Sequence, residues 1–388
     1  MNNKLFRKIL SYVLVAVTTA ALTVAVLLPV SGVLGRYSKL QQLENLILNY
    51  YVDGADQKEL EDAAAQAMIE TLGDRWSYYM TAEEYESRQE QQNNAYVGIG
   101  VTIDAQNTQN GMQIISVAEG GPAEAAGLLP GDVIIGAEGQ SIVGMASGEA
   151  QNIIKGKEGT TVQITYLREG EEFTVTVTRA TVKTLVATAK LLPGNIGVVT
   201  IVNFNANCAA ETKAAIQQML DAGAEKLIFD VRNNPGGWVT ELVGILDYLL
   251  PEGVLFRSVD YKGVESVDKS DDACLEMPMA VLVNESSYSA AEFFAAALQE
   301  YGWATVVGEK TVGKGNYQVT YVLNDGSAVG LSTGKYYTPQ GKHLEGVGIL
   351  PDVVTPVDAQ TAAAIRAGIL APEKDPQLQS AVKALTGE

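Results

Sequence analysis

The chain has 388 residues, too many for one ordinary hydrophobic core, so two or three domains are expected once terminal segments are set aside. An apolar share of 47 % with 38 glycines fits folded α/β or α+β material with many turns and excludes a disordered bulk. The 27 Lys plus Arg against 46 Asp plus Glu, −19 net, would repel phosphate and anionic headgroups, which excludes nucleic-acid binding and leaves solubility as the plain meaning of the charge.

Residues 1–36 read as a membrane anchor or signal segment. Lys4, Arg7 and Lys8 precede a charge-free run of 27 residues from Ile9 to Gly35. That run exceeds the roughly 7 to 15 residues of a signal-peptide core and suffices to cross a bilayer of about 30 Å as a helix. No convincing A-x-A site follows it. An uncleaved anchor is expected, with the positive flank in the cytoplasm and the rest exported. Pro29 and Gly32 keep cleavage and secretion as the alternative.

Residues 37–93 form a helical segment. Apolar residues recur at three- and four-residue steps in Leu40, Leu43, Leu46 and Ile47, and again from Leu60 to Leu72, so two amphipathic helices are expected, as a stalk or packing face. From 94 to 182 the period changes to short strands and Gly-rich turns. Tyr96–Val101, Met112–Val117, Val133–Ile135 and Val162–Tyr166 read as strands, with short helices near Gly120–Gly127 and Gly148–Ile154. Five or six strands and two helices make a small self-contained domain.

From 183 to 358 the pattern is strand, turn, helix. Ile196–Ile201, Lys226–Val231, Ala280–Val283 and Ala304–Val307 read as buried strands, and the helices Ala209–Ala222, one ending at Leu250, and Ala290–Tyr301 alternate with them. Continuous apolar strands separated by helices argue for parallel pairing. Asn324-Asp325-Gly326 marks a hairpin. Residues 359–388 read as a helical C-terminal segment.

The single histidine narrows the chemistry. His343 lies in a polar, turn-like stretch where an exposed surface role is expected, so an acyl-cleaving enzyme here would use another base. Cys208 and Cys274, 66 positions apart and without a local CxxC, cannot with one His assemble the usual three- or four-ligand zinc site unless carboxylates join, so no metal is expected; free thiols are favoured over a disulfide. Lys314 stands between Gly313 and Gly315 with no carboxylate within three residues, which suits a lysine that must lose its proton, although a surface lysine in a glycine turn reads the same way. Ser289 lies at a strand-to-helix turn, where the first amides of the next helix favour an oxyanion. Ser289-x-x-Glu292 is equally a capping box, with Ser286 and Ser287 as further caps. Asn234-Pro235-Gly236-Gly237 follows a buried strand at its carboxyl end, where open α/β sheets place ligands. Gln318 shares a strand face with Lys314 but would lie about 13 Å away unless the chain bends at Gly315.

Together these segments resemble the carboxy-terminal processing (tail-specific) peptidase family. The similarity runs from Tyr37 to the end and includes Asp74–Tyr79, Tyr96–Val101, Asp230–Gly237, the Ser289 segment, Gly308–Gln318 and Tyr336–Gly341, in that order. It implies a multidomain α/β and α+β chain, with a PDZ-like β-domain at 94–182 and a crotonase-like peptidase core at 183–358. It further implies Ser289 as nucleophile, Lys314 as general base 25 residues later, and Gln318 as support for the lysine. The N–H groups of Ala290 and of Gly236 or Gly237 would hold the oxyanion. Val97, Gly98 and Ile99 would present N–H groups to a substrate's terminal carboxylate, and the next strand edge would accept the peptide. No metal or cofactor is implied. The implied partners are proteins or peptides with free C-termini, outside the cytoplasm, with self-association open. Where the family often reads Ser-Ala-Ser-Ala-Ser-Glu this chain has Tyr288 and Ala291, and where it often reads Arg-Gly this chain has Lys155-Gly156. A PDZ scaffold with an inactive peptidase fold and an acyl-CoA hydratase-like enzyme are the competing readings.

Overall fold

The structure, a computed structural model, describes residues 8, 10–20, 23, 38–104 and 108–387. Residues 10–20 of the expected membrane span are helical, and most of the remaining span lies outside the described residues. No helix among the described residues is long and apolar enough to cross a membrane.

Two compact units are present, Met1–Thr81 and Ala82–Glu388. In the first, the helices Ser38–Tyr50 and Gln57–Glu70 follow the apolar spacing. Asp56 caps the second by accepting from Glu59 N–H at 3.0 Å. Asp74 closes an Asx turn by accepting from Trp76 N–H at 3.2 Å and Ser77 N–H at 3.1 Å. A third helix, Ala82–Gln92, opens the second unit.

Within that unit, residues from Ala95 to Lys183 make a small β-domain. Its entry and exit strands, Ala95–Gly98 and Ala180–Lys183, pair antiparallel. A sheet runs Val101–Ile103, Met112–Val117, Val133–Ala137, Thr161–Arg168, Glu171–Thr178, so among the described residues Val101–Ile103 keeps a free edge. The run Tyr96–Val101 is split into Ala95–Gly98 and Val101–Ile103, the strands at 133 and 161 run longer than the sequence suggests, and bulges interrupt the pairing of Val101–Ile103 and Val133–Ala137. The core is formed by Met112, Ile114, Ile134, Ile142, Val162 and Ile164, all at most 1 % exposed.

The remainder is built on a six-stranded sheet in the order Ala187–Leu192, Ile196–Ile201, Lys226–Asp230, Met279–Val283, Ala304–Gly308, Val353–Val354. The first pair is antiparallel and the rest are parallel, as continuous apolar strands predict. A second, antiparallel layer holds Asn316–Val322 beside Ala328–Tyr337, then Gly253–Asp260 and Glu265–Ser270. The first two are joined by a loop in which Leu323 N–H donates to Ser327 O, longer than a two-residue turn. The helix Ala290–Glu300 passes between the layers and is buried from Ala290 to Leu298. Phe293 and Phe294 sit there in edge-on contact with Phe256 and Phe229, and each contributes about 2 to 3 kcal/mol of burial.

Candidate active site

Three adjacent parallel strands, Lys226–Asp230, Met279–Val283 and Ala304–Gly308, end on the same side of the sheet. Their carboxyl ends lead respectively to Asn233–Gly237, Ser289 and Lys314. Residues 25 to 81 positions apart in the chain therefore converge, because parallel strands deliver every following loop to one edge.

Ser289 is the N-cap of the helix Ala290–Glu300 and is 9 % exposed, with φ 58° and ψ −126°. A non-glycine residue in that region is held there by its surroundings. The main restraint is Glu292, which is fully buried and was not foreseen beyond a cap. Its Oε2 accepts from Ser289 N–H at 2.9 Å and from Lys314 N–H at 2.8 Å. Its Oε1 accepts from Gly313 N–H at 2.7 Å and from the Thr311 hydroxyl. Burial pushes the Glu292 carboxyl above its ordinary value, against the pull of these four donors. The same carboxylate oxygen thus holds the backbone of both the serine and the lysine.

Lys314 is half-buried, and its Nζ lies 5.9 Å from the centre of the Tyr288 ring. Burial raises the Tyr288 phenol, so the ring beside the amine carries no charge near neutrality. Beyond Lys314 the chain turns where Glu345 Oε2 accepts from Gly315 N–H at 2.8 Å and Asn316 N–H at 3.1 Å. His343, expected on the exposed surface, is instead half-buried against this turn. Its Nδ1 lies 3.0 Å from Tyr336 O, and a Cβ on Gly315 would come within 2.7 Å of its ring. The flat imidazole leaves the surface because it fills the room that Gly315, lacking a side chain, opens beside it.

Gln318 stands on the strand after the turn, past a bulge at Tyr317. Its Nε2 donates to Asn316 O at 3.1 Å and to Ser332 Oγ at 3.0 Å. Its amide nitrogen is therefore given to its own sheet rather than to the lysine.

The Gly-Gly turn touches the serine. At Gly236, φ is 84° and a Cβ would lie 2.8 Å from both Ala290 N and Ser289 Cβ. Asn234, fully buried, shapes the turn: its Oδ1 accepts from Gly236 N–H at 2.8 Å, and its Nδ2 donates to Ile201 O at 2.7 Å. Gly236 N–H is thereby used. Among the described residues no acceptor is found for the N–H of Gly237 or of Ala290. Ser287 does not cap the helix; its hydroxyl donates to Val231 O at 2.7 Å and ties the serine loop to the neighbouring strand.

A cavity of about 730 Å³ joins this turn to the small β-domain. It is lined at one end by Gly98, Ile99, Gly100 and Ile154 and at the other by Asn233 and Pro235. The N–H groups of Ile99 and Gly100 find no acceptor among the described residues, and the free edge of Val101–Ile103 borders the same space. Val97 pairs across from Thr181 and does not line the cavity. Cys208 and Cys274 are free thiols; Cys208 is buried, which pushes its thiol up to about 12, and Cys274 is half-buried. No cluster of His, Cys, Asp and Glu among the described residues would hold a metal ion.

Comparison with known proteins adds an independent line. Residues 195–355 match the model of peptidase family S41, 97–178 that of the PDZ domain, and 26–84 that of the N-terminal domain of the activating protease CtpB. A protein of Staphylococcus aureus (strain COL) described as "Probable CtpA-like serine protease" is 37 % identical over 323 residues, 81 % of this chain and 64 % of the relative. A protein of Staphylococcus haemolyticus (strain JCSC1435) with the same description is 34 % identical over 351 residues, 87 % of this chain and 70 % of the relative. The chain thus spans about two thirds of the length of these curated relatives. A solved structure from Bacteroides fragilis NCTC 9343, described as an S41 protease, shares the fold with a TM-score of 0.54 at 16 % identity, over 90 % of this chain and 97 % of that one. The chain belongs to peptidase family S41, as a CtpA-like member that carries a PDZ domain ahead of its peptidase fold.

Proposed function

We propose that this chain is a serine endopeptidase that cuts proteins near their C-termini outside the cytoplasm, with a Ser-Lys pair for catalysis and the PDZ domain for engaging the substrate's end. The observation that carries the reading is the shared Glu292 oxygen, which brings the backbones of Ser289 and Lys314 onto one buried carboxylate.

In this reading neutral Lys314 takes the Ser289 proton as the hydroxyl attacks a peptide carbonyl. The ammonium then protonates the leaving amine, and water clears the acyl-enzyme. Gly237 and Ala290, whose N–H groups are uncommitted, supply the oxyanion donors. Gly98, Ile99 and Gly100 receive the terminal carboxylate, and the free edge of Val101–Ile103 takes the tail as an added strand. The continuity of the cavity supports the same tail reaching the Gly-Gly turn. Gln318 supports the lysine through its Oε1, the atom that its bonds to Asn316 and Ser332 leave unused.

The test is cleavage of an unstructured protein by Ser289→Ala and Lys314→Ala variants, with folding checked by circular dichroism. Turnover should fall about 10⁴-fold or more in each. Full turnover in both variants ends the proposal, and failure of an acylating probe to label Ser289 in the parent chain points instead to a PDZ scaffold. The apolar run Ile9–Gly35 serves here as the anchor that keeps the catalytic part outside. Release of the chain from membranes by salt alone would contradict that placement.

A further inference from the structure

Beside the Gly-Gly turn lies a buried ionic cluster whose far side comes from residues outside all three family matches, at 375–377. Arg232 immediately precedes Asn233, and its side chain is 5 % exposed. It donates through Nε to Asp230 Oδ1 at 2.9 Å and through Nη2 to Asp230 Oδ2 at 2.6 Å. Its remaining edge faces the start of the helix Pro376–Thr386. There Nη1 donates to Asp375 Oδ1 and to Gln377 Oε1, each at 3.1 Å, and Nη2 lies 2.8 Å from Asp375 Oδ2.

Gln377, 1 % exposed, turns the contact toward the second catalytic loop. Its Nε2 donates to Glu309 Oε2 at 3.1 Å and to Thr355 O at 3.0 Å. Glu309 leads into Thr311–Lys314, whose donors converge on Glu292. Asp375 and Gln377 therefore touch both the residue before the Gly-Gly turn and the segment before the lysine.

Docking of the helix does not require these polar groups. Leu378 and Ala381 are buried against Ile228, Leu282 and Val307 and supply an apolar seat of their own. A buried ion pair adds little net stability after desolvation, whereas it restricts geometry strongly. Burial works against the charge of Arg232, yet the two carboxylates more than offset it and raise its pKa further.

We infer that Asp375 and Gln377 are positioning residues of the active site: by clamping Arg232 and Glu309 they hold the Gly-Gly turn and the lysine segment in register, and they act on turnover rather than on substrate binding. This rests on the peptidase reading above for its kinetic consequence but not for its structural one.

The test uses the full chain with Asp375→Asn, Gln377→Leu and Asp375→Glu. Asparagine still caps the helix, as Asp375 does toward Gln377 and Leu378 N–H at 3.1 Å, while removing the carboxylate from Arg232. Leucine keeps the volume and breaks all three side-chain hydrogen bonds of Gln377, to Arg232, Glu309 and Thr355. In Asp375→Asn and Gln377→Leu, kcat should fall about tenfold with KM changed less than about twofold, and Asp375→Glu should recover most of the loss. Ile216→Val, a core truncation elsewhere in the same unit, should lower the melting temperature and leave kcat alone. Hydrogen exchange supplies a readout independent of turnover: the amides of 233–237 and 311–315 should exchange faster in the first two variants than in the parent. Wild-type exchange in both stretches overturns the clamp, as does a kcat loss matched by an equal rise in KM. A parent chain that cleaves nothing defeats the peptidase reading, while the exchange pattern still decides the clamp.

Discussion

The PDZ part and the peptidase part secure their functional surfaces by opposite means. In the peptidase part each turn is pinned from several directions by buried polar groups: Glu292 takes four donors, Asn234 bridges Gly236 and Ile201, and Arg232 lies between two carboxylates. In the PDZ part the groove is left open: among the described residues the N–H groups of Ile99 and Gly100 find no acceptor and the strand Val101–Ile103 has no neighbour on its outer edge. Its side-chain bonds, Arg179 Nε donating to Ile154 O at 2.7 Å and Arg168 pairing with Asp132, leave those N–H groups and that edge unengaged. Catalysis needs donors fixed before the charge appears, whereas a groove that receives many tails gains from a backbone edge indifferent to side chains.

The contrast predicts brittleness on one side and tolerance on the other. The largest effect is expected at Glu292. Replacement by Ala leaves four donors without an acceptor and should cost about 3 to 5 kcal/mol in denaturant unfolding. The sign of its pH dependence also follows. Because the native carboxyl titrates above its ordinary value, the folded chain keeps a proton that the unfolded chain has lost. Its contribution to stability is full at acid pH and falls as pH rises from the ordinary glutamate range through the raised value. Glu292→Gln should flatten that slope, and an unchanged slope would assign it to other groups.

Next comes a glycine comparison. Gly236→Ala places a Cβ 2.8 Å from Ala290 N at φ 84° and should reduce kcat about 10² to 10³-fold. Gly127→Ala in the PDZ part has nearly the same φ, 82°, with no atom within 4 Å, and should cost only about 1 kcal/mol of stability with kcat intact. Equal kinetic losses at the two sites would break the comparison.

A smaller effect is expected at the groove. Lys155, exposed and bordering the cavity, becomes a repelling carboxylate in Lys155→Glu, which should raise KM for protein tails about fivefold and leave hydrolysis of short amidated peptides unchanged. Salt should shrink the difference. The smallest is Asp132→Asn. Burial pushes the Asp132 carboxyl up, but Arg168 and Leu129 N–H more than offset it and hold it below its ordinary value. The pair's contribution is present above the ordinary aspartate range and lost as pH falls through the depressed value, so the variant should differ from the parent by about 2 °C in melting temperature near neutrality and converge with it in acid.

Much of this organisation is readable from residue order alone. Unbroken apolar runs such as Leu227–Phe229 and Ala280–Val283 demand burial on both faces and hence a parallel sheet, and Ser289-x-x-Glu292 announces a helix start. The change from helical spacing to short strands near residue 94 marks the small β-domain for the same local reason. What the sequence could not supply is convergence: Glu292 reads as a cap and becomes the joint between two loops, because Lys314 reaches it only after the sheet folds. His343 against Gly315, Gln318 turned into its own sheet, and Asp375 on Arg232 belong to the same class. Local pattern is set by side-chain periodicity and backbone preference within a few residues, while these contacts are set by which loops the sheet delivers to one edge, a property of strand order that no short window of sequence contains.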